Sequence, residues 1–347
     1  SMNSLVGREG AEKAFESYLH GTKGTRIITT NEEGKITGEL YTKEPQPGGT
    51  VALTLDIDVQ EDTEKSLAQT IEAMTAKDGI VRGGAAVVVG VGSGEVLAMA
   101  SYPTYNLSTF DQDYSKLVSD TVGTPLLNRA IGGAYAPGST FKLMTVSTAY
   151  DLGATHAEDT YYCGGSLQVE NWEIKCANTS GHGMQTLTEA LMNSCNVAMM
   201  QIAQSIGMDR FYNFYKAFGL TEPTGIDLPG EGKGQFHKLD VASDWNEVAL
   251  ATASFGQRFT VTPIQMLNMV CAIVDDGKLK KPYVVKEVLG GDGSVKSTNE
   301  TEVVRQVISE DTSAYMREAM EQCRRLGKIL AAHCEDNSLC LLYTSPS

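Results

Sequence analysis

Apolar and polar positions follow two rhythms along this chain, and the change of rhythm separates strands from helices. Ala85-Ala86-Val87-Val88-Val89-Gly90-Val91, the turn Gly92-Ser93-Gly94 and Glu95-Val96-Leu97-Ala98-Met99-Ala100 form the clearest hairpin signal. Its nearly continuous apolar run implies burial on both faces, so this hairpin is expected inside a layered domain. Just before it, positions 51–56 predict a short strand, and positions 58–76 an amphipathic helix through Val59, Leu67, Ile71 and Met74. Residues 1–50 have little periodicity and mix charge with the turns Gly21-Thr22-Lys23-Gly24, Glu33-Gly34-Lys35 and Pro47-Gly48-Gly49, which predicts short strands and loops.

Downstream, helical spacing dominates. Pro137-Gly138 stops what precedes it, and Phe141, Leu143-Met144, Val146 and Tyr150 then recur at helical intervals, so a helix begins at or near Ser139. Residues 187–206 read as an apolar helical region interrupted by Asn193-Ser194-Cys195-Asn196. An aromatic helix is expected over 211–218, and Pro263 opens another apolar helix that ends near Asp276-Gly277. The aromatic and methionine stripes of these helices are read as core.

The helix start at Ser139 carries candidate chemistry. Positions i and i+3 share a helix face, so Ser139 Oγ and Lys142 Nζ can meet without help from another segment. At the amino end a hydroxyl sits among unpaired backbone N–H groups, which favour a developing alkoxide or oxyanion. Lys142 can serve as base only if burial or a second cation keeps it neutral. A bare Ser-x-x-Lys is expected about once by chance in a chain this long, and serine is also a good helix cap, so context has to decide. The break at Ser194 and Asn196 is either a capped interruption or a second polar group facing the same cleft. Ser-x-Asn is unspecific, for it recurs at Ser1–Asn3 and Ser297–Asn299.

Composition narrows the field. With 347 residues, 41% hydrophobic and 20% charged, the chain is of ordinary globular make-up, and its length suits about two domains or one large one. Its 28 basic and 43 acidic residues leave a net charge of −15, which disfavours a nucleic-acid partner. No apolar run long enough for a membrane span and no signal peptide stands out; Ser1-Met2 reads as a cloning remnant, so a leader or anchor upstream is expected. Among seven cysteines, Cys163 and Cys176 flank a short polar hairpin over 166–175, compatible with a local disulfide outside the cytoplasm. A zinc site with nearby His182 lacks an evident fourth ligand, so no metal and no cofactor are assigned. Cys195, Cys271 and Cys323 lie in apolar helical patterns and are read as core thiols.

Leu126-Leu127-Asn128-Arg129-Ala130-Ile131 followed by Tyr135-Ala136-Pro137-Gly138-Ser139-Thr140-Phe141-Lys142 resembles the first active-site motif of the class B penicillin-binding proteins, the monofunctional peptidoglycan D,D-transpeptidases. The likeness continues in order through Ser101-Tyr102-Pro103, Gly181-His182-Gly183, Ser194-Cys195-Asn196, the run Thr224-Gly225-Ile226-Asp227-Leu228-Pro229-Gly230-Glu231, Ser254-Phe255-Gly256-Gln257 and Thr262-Pro263. It implies an α+β fold with an antiparallel sheet flanked by helices and an all-helical subregion. The implied domains are the end of a membrane-proximal pedestal over 1–50 and a transpeptidase domain over 51–325. By the same resemblance Ser139 is the nucleophile, Lys142 its base, Ser194 the proton relay and Asn196 a substrate-binding residue. The implied partners are peptidoglycan stem peptides, β-lactams and cell-wall synthesis proteins, on the extracytoplasmic face of a bacterial membrane that the parent reaches through an amino-terminal anchor.

One motif is missing. The family's Lys-Thr-Gly or Lys-Ser-Gly should follow shortly after Met316-Arg317-Glu318-Ala319-Met320, yet neither tripeptide occurs in the chain. Residues from about 326 onward show no strand alternation and are expected to be foreign to the fold, which would leave the apolar hairpin short of neighbours and the chain a poor catalyst. Alternatives are a D,D-carboxypeptidase, a serine β-lactamase, or a scaffold that keeps the fold without catalysis. A Ser-His-Asp hydrolase is weaker, since no Gly-x-Ser-x-Gly elbow is present.

Overall fold

The computed structural model describes residues 6–79, 81 and 83–325, and the backbone of 332–333 and 339–343. Its chain divides into two compact units, Ser1–Thr54 with Asp227–Pro229 and Tyr283–Glu300, and the remainder.

In the first unit a hairpin pairs Thr25–Thr30 with Ile36–Lys43, setting Ile27 opposite Leu40. A three-stranded antiparallel sheet runs in the order Val295–Thr298, Val285–Leu289, Thr50–Leu53. Asp227 ties its segment to that sheet, its carboxylate accepting from the backbone N–H groups of Val284 at 2.7 Å and Val285 at 2.9 Å.

The second unit is built on the apolar hairpin. Gly84–Gly90 pairs with Val96–Tyr102; the first strand is almost wholly buried, as its unalternating apolar run requires, whereas the second alternates, with Val96, Ala98 and Ala100 buried and Leu97, Met99, Ser101 and Tyr102 half-buried, so burial on both faces holds for the first strand alone. Helix Ile57–Asp78 is started by Asp56, whose carboxylate accepts from the N–H groups of Asp58 and Val59. Its Leu67 and Ile71 pack on Ala100 of the hairpin. The expectation that the hairpin lacks neighbours is corrected. Leu339–Tyr343 pairs antiparallel with Gly84–Gly90, and Ala332–His333 extends a four-stranded sheet. Leu339-Cys340-Leu341-Leu342-Tyr343 is apolar without alternation, a pattern that a search for alternation passes over. The rest of the expected foreign tail falls outside the described residues.

Helices make up the other part of this unit. Pro263–Val274 is buried from Pro263 to Ile273, and Thr262 opens it with a capping box to Gln265. An apolar circumference of this kind marks a central helix. Lys142–Asp151 and Glu310–Arg325 pack against it and against each other, and Asn196–Ile206 packs on Lys142–Asp151. Among the described residues no helix is long and apolar enough to cross a membrane.

Candidate active site

Ser139 lies in a single 3-10 turn, Gly138–Phe141, that runs straight into the helix Lys142–Asp151. Gly138 begins the turn with φ of +60°, and its N–H donates to Gly256 O at 3.0 Å. Gly256 is held at φ of +81°, and a Cβ there would fall 2.0 Å from Gly138 O. Only glycine permits that approach. Paired backbone bonds of 2.9 Å between Tyr135 and Val261, and a 2.8 Å bond from Thr145 Oγ1 to Ser254 O, fasten both sides of the turn. Below it, the Phe141 ring is fully buried and meets Phe259 edge-on at 4.7 Å.

Ser139 is exposed, whereas Lys142 is only 1% exposed. Lys142 Nζ donates to Ser139 Oγ at 3.1 Å, to Ser194 Oγ at 2.7 Å and to Ser194 O at 2.7 Å. Three acceptors match the three protons of an ammonium. Burial nonetheless dominates and lowers the Lys142 pKa to about 8. The 187–206 region is two helices, Leu187–Met192 and Asn196–Ile206, and Ser194 in the break adopts φ of +49°. That left-handed conformation, rare outside glycine, sets both its carbonyl and its hydroxyl on Lys142.

A family model for the penicillin binding protein transpeptidase domain matches residues 84–332. The chain belongs to this family. A second model, for the penicillin-binding protein dimerisation domain, matches residues 1–53. The chain is 33% identical over 319 residues to stage V sporulation protein D of Bacillus subtilis, covering 90% of this chain and 47% of that protein. It is 30% identical over 293 residues to the peptidoglycan D,D-transpeptidase MrdA of Escherichia coli K12, covering 81% of this chain and 44% of that protein. It therefore spans less than half the length of these relatives. Penicillin binding protein 2X from Streptococcus thermophilus superposes with a TM-score of 0.76 at 28% identity, over 91% of this chain and 44% of that one. Apo penicillin binding protein 3 from Mycobacterium tuberculosis gives 0.74 at 28% identity, over 90% and 63%. The α+β transpeptidase fold with antiparallel sheets flanked by helices is thus the fold of this chain.

Within this transpeptidase domain the fold brings Ser139, Lys142 and Ser194 into direct contact. Asn196 opens the Asn196–Ile206 helix two residues beyond Ser194, and among the described residues no hydrogen bond joins its side chain to those three. At the break Asn193 is the C-cap of Leu187–Met192, its N–H donating to Glu189 O, while the N-cap of Asn196–Ile206 is not Ser194 but Cys195, whose sulfur accepts from the N–H of Ala198 at 3.4 Å.

The cysteines change the picture most. Cys163 and Cys176 are free thiols, and the fold places them with Cys195 and His182 in one cluster whose sulfur and nitrogen atoms all lie within 4.8 Å of one another. The fourth ligand missing from the sequence is Cys195, read there as a core thiol. Its apolar helical neighbours conceal it, and only its adjacency to Ser194 marks it out. Burial pushes the Cys195 thiol up to about 12.

Proposed function

We propose that this chain carries the acyl-transfer site of a peptidoglycan D,D-transpeptidase that β-lactams also acylate. The observation that supports it most is the exposed Ser139 Oγ 3.1 Å from a buried Lys142 Nζ, which in turn lies 2.7 Å from Ser194 Oγ. Lys142 in its neutral form takes the Ser139 hydroxyl proton as Oγ attacks the carbonyl of the penultimate D-alanine. Ser194, bridging Lys142 and the cleft, passes that proton to the departing D-alanine nitrogen. Asn196, at the open end of its helix, holds an amide of the donor peptide. An amine of a neighbouring stem peptide then attacks the ester on Ser139, forming the cross-link and returning the proton. The same serine opens a β-lactam ring, because the lactam presents an amide carbonyl in place of the terminal dipeptide.

In this reading residues 1–50 end a pedestal domain and 51–325 form the transpeptidase domain. The protein works outside the cytoplasmic membrane beside other cell-wall synthesis proteins, with no nucleic-acid partner. The test is intact-mass spectrometry after incubation with a penicillin, beside Ser139→Ala. A single penicilloyl adduct lost in the variant is the expected result; an adduct that persists in Ser139→Ala refutes the assignment of the nucleophile. Slow loss of the adduct is expected of a transpeptidase, and rapid turnover of penicillin would instead make the site a β-lactamase.

A further inference from the structure

We propose that Arg258 sets donor specificity by pairing with a free side-chain carboxylate on the residue that precedes D-alanyl-D-alanine in the stem peptide. The inference deepens the acyl-transfer reading and rests on it. It assigns to the donor a diamino acid that keeps its second carboxyl group, over one that lacks this group or carries it as an amide.

Arg258 is held beside the nucleophile by backbone. The Gly138 N–H donates to Gly256 O at 3.0 Å, and Tyr135 and Val261 exchange bonds of 2.9 Å. Arg258 lies on the short span between Gly256 and Val261, which keeps it alongside Pro137-Gly138, the residues just before Ser139. Phe259, next in sequence, is buried edge-on against Phe141, and the Thr260 N–H donates to Gln235 O at 3.0 Å. The segment that carries Arg258 is therefore anchored, while Arg258 and Ser139 are both exposed.

Conformation and charge set this residue apart. Arg258 has φ of +69°, in the left-handed region that glycine enters freely and a residue with a Cβ does not. A long cationic side chain kept there gives up stability, as residues at binding sites do. The chain has 43 acidic and 28 basic residues, and Arg26, Arg305, Arg317 and Arg324 each hold a carboxylate. Among the described residues Arg258 pairs with none, in spite of that surplus. Its guanidinium thus keeps its planar fork of donors for a ligand, and a carboxylate fits that fork bidentately.

Which carboxylate it takes follows from the two ends of the turn. Ser194 meets the turn at Lys142, so the leaving D-alanine, with its terminal carboxylate, belongs to that end. Arg258 joins at Gly138, the other end, and so lies beside the part of the donor that stays on Ser139. The acylating D-alanine offers only a methyl group. The first ionisable group beyond it is the side chain of the preceding residue, within the span of a long arginine.

The experiment measures how two synthetic donor peptides slow labelling of Ser139 by a fluorescent penicillin. They are alike except that the second carboxyl of their diaminopimelic residue is free in one and amidated in the other. Half-slowing should need roughly 5–30-fold less of the free acid, and high salt should shrink the difference. Arg258→Gly should lose the preference and yet melt at a higher temperature, because glycine accepts this backbone without strain; loss of charge is thereby separated from loss of fold. Arg258→Lys should keep part of the preference, and Arg210→Ala, at an exposed arginine of the helix Met208–Ala217, all of it. Equal slowing by the two peptides, slowing by neither, or a preference undiminished in Arg258→Gly overturns the proposal while leaving the acyl-transfer reading standing. Failure of penicillin to label Ser139 in the unaltered chain refutes that reading, and the proposal falls with it.

Discussion

With buried Lys142 as the proposed base, acylation of Ser139 should rise with pH about a midpoint near 8. The perturbation is pH alone. Lys142 is brought from 10.5 to about 8 by burial, so about a tenth of it is neutral at pH 7 and about half at pH 8. The sign follows from the role: the ammonium form cannot accept the Ser139 proton, so rate follows the neutral fraction and is lost as pH falls. Between pH 6 and 8 the second-order acylation rate should therefore climb roughly 50-fold, and level off above pH 9. The assay is fluorescent-penicillin labelling over pH 6–9.5, with thermal melts at each pH to show that the fold persists. Lys142→Arg, which stays charged throughout, should acylate too slowly to show the rise at any pH. A flat profile, or a rise still climbing linearly past pH 10, would refute burial as the cause of a neutral base.

Other outcomes follow from the same geometry. Ser194→Ala removes one acceptor of Lys142 and the proposed relay to the leaving nitrogen, so steady-state transpeptidation with a donor peptide should fall by about 10²–10⁴, with little loss in melting temperature. Gly256→Ala forces a methyl into Gly138 O at a φ of +81°; both acylation rate and melting temperature should drop, and a normal rate would mean the Ser139 turn tolerates displacement. Phe141→Ala should cost about 3–5 kcal/mol in denaturant titration, because its fully buried ring is enclosed by Phe211, Tyr215 and Phe259. The chain holds no Lys-Thr-Gly or Lys-Ser-Gly; grafting such a strand beside the hairpin should raise acylation about 10²–10³-fold if it supplies the oxyanion donor, as seen in single-turnover kinetics.

Local information was enough for several of the elements and for half of the candidate site. The 85–100 hairpin, the helix through Leu67 and Ile71, and the Pro263 helix are written in periodicity and turn residues, which act over a few positions. Ser139 and Lys142 are legible for the same reason, since three residues of helix bring them together. Tertiary structure decided what depends on distant segments meeting. It set Ser194 on Lys142 across 52 positions, at a φ no propensity foretells. It also aligned Leu339–Tyr343 with Gly84–Gly90, and drew Cys195 out of an apolar helix pattern into a cluster with Cys163, Cys176 and His182. The burial that lowers the Lys142 pKa belongs to the packed domain as well. A sequence states which groups are present and how near neighbours face; the distance and dielectric between remote groups exist only after the chain has closed on itself.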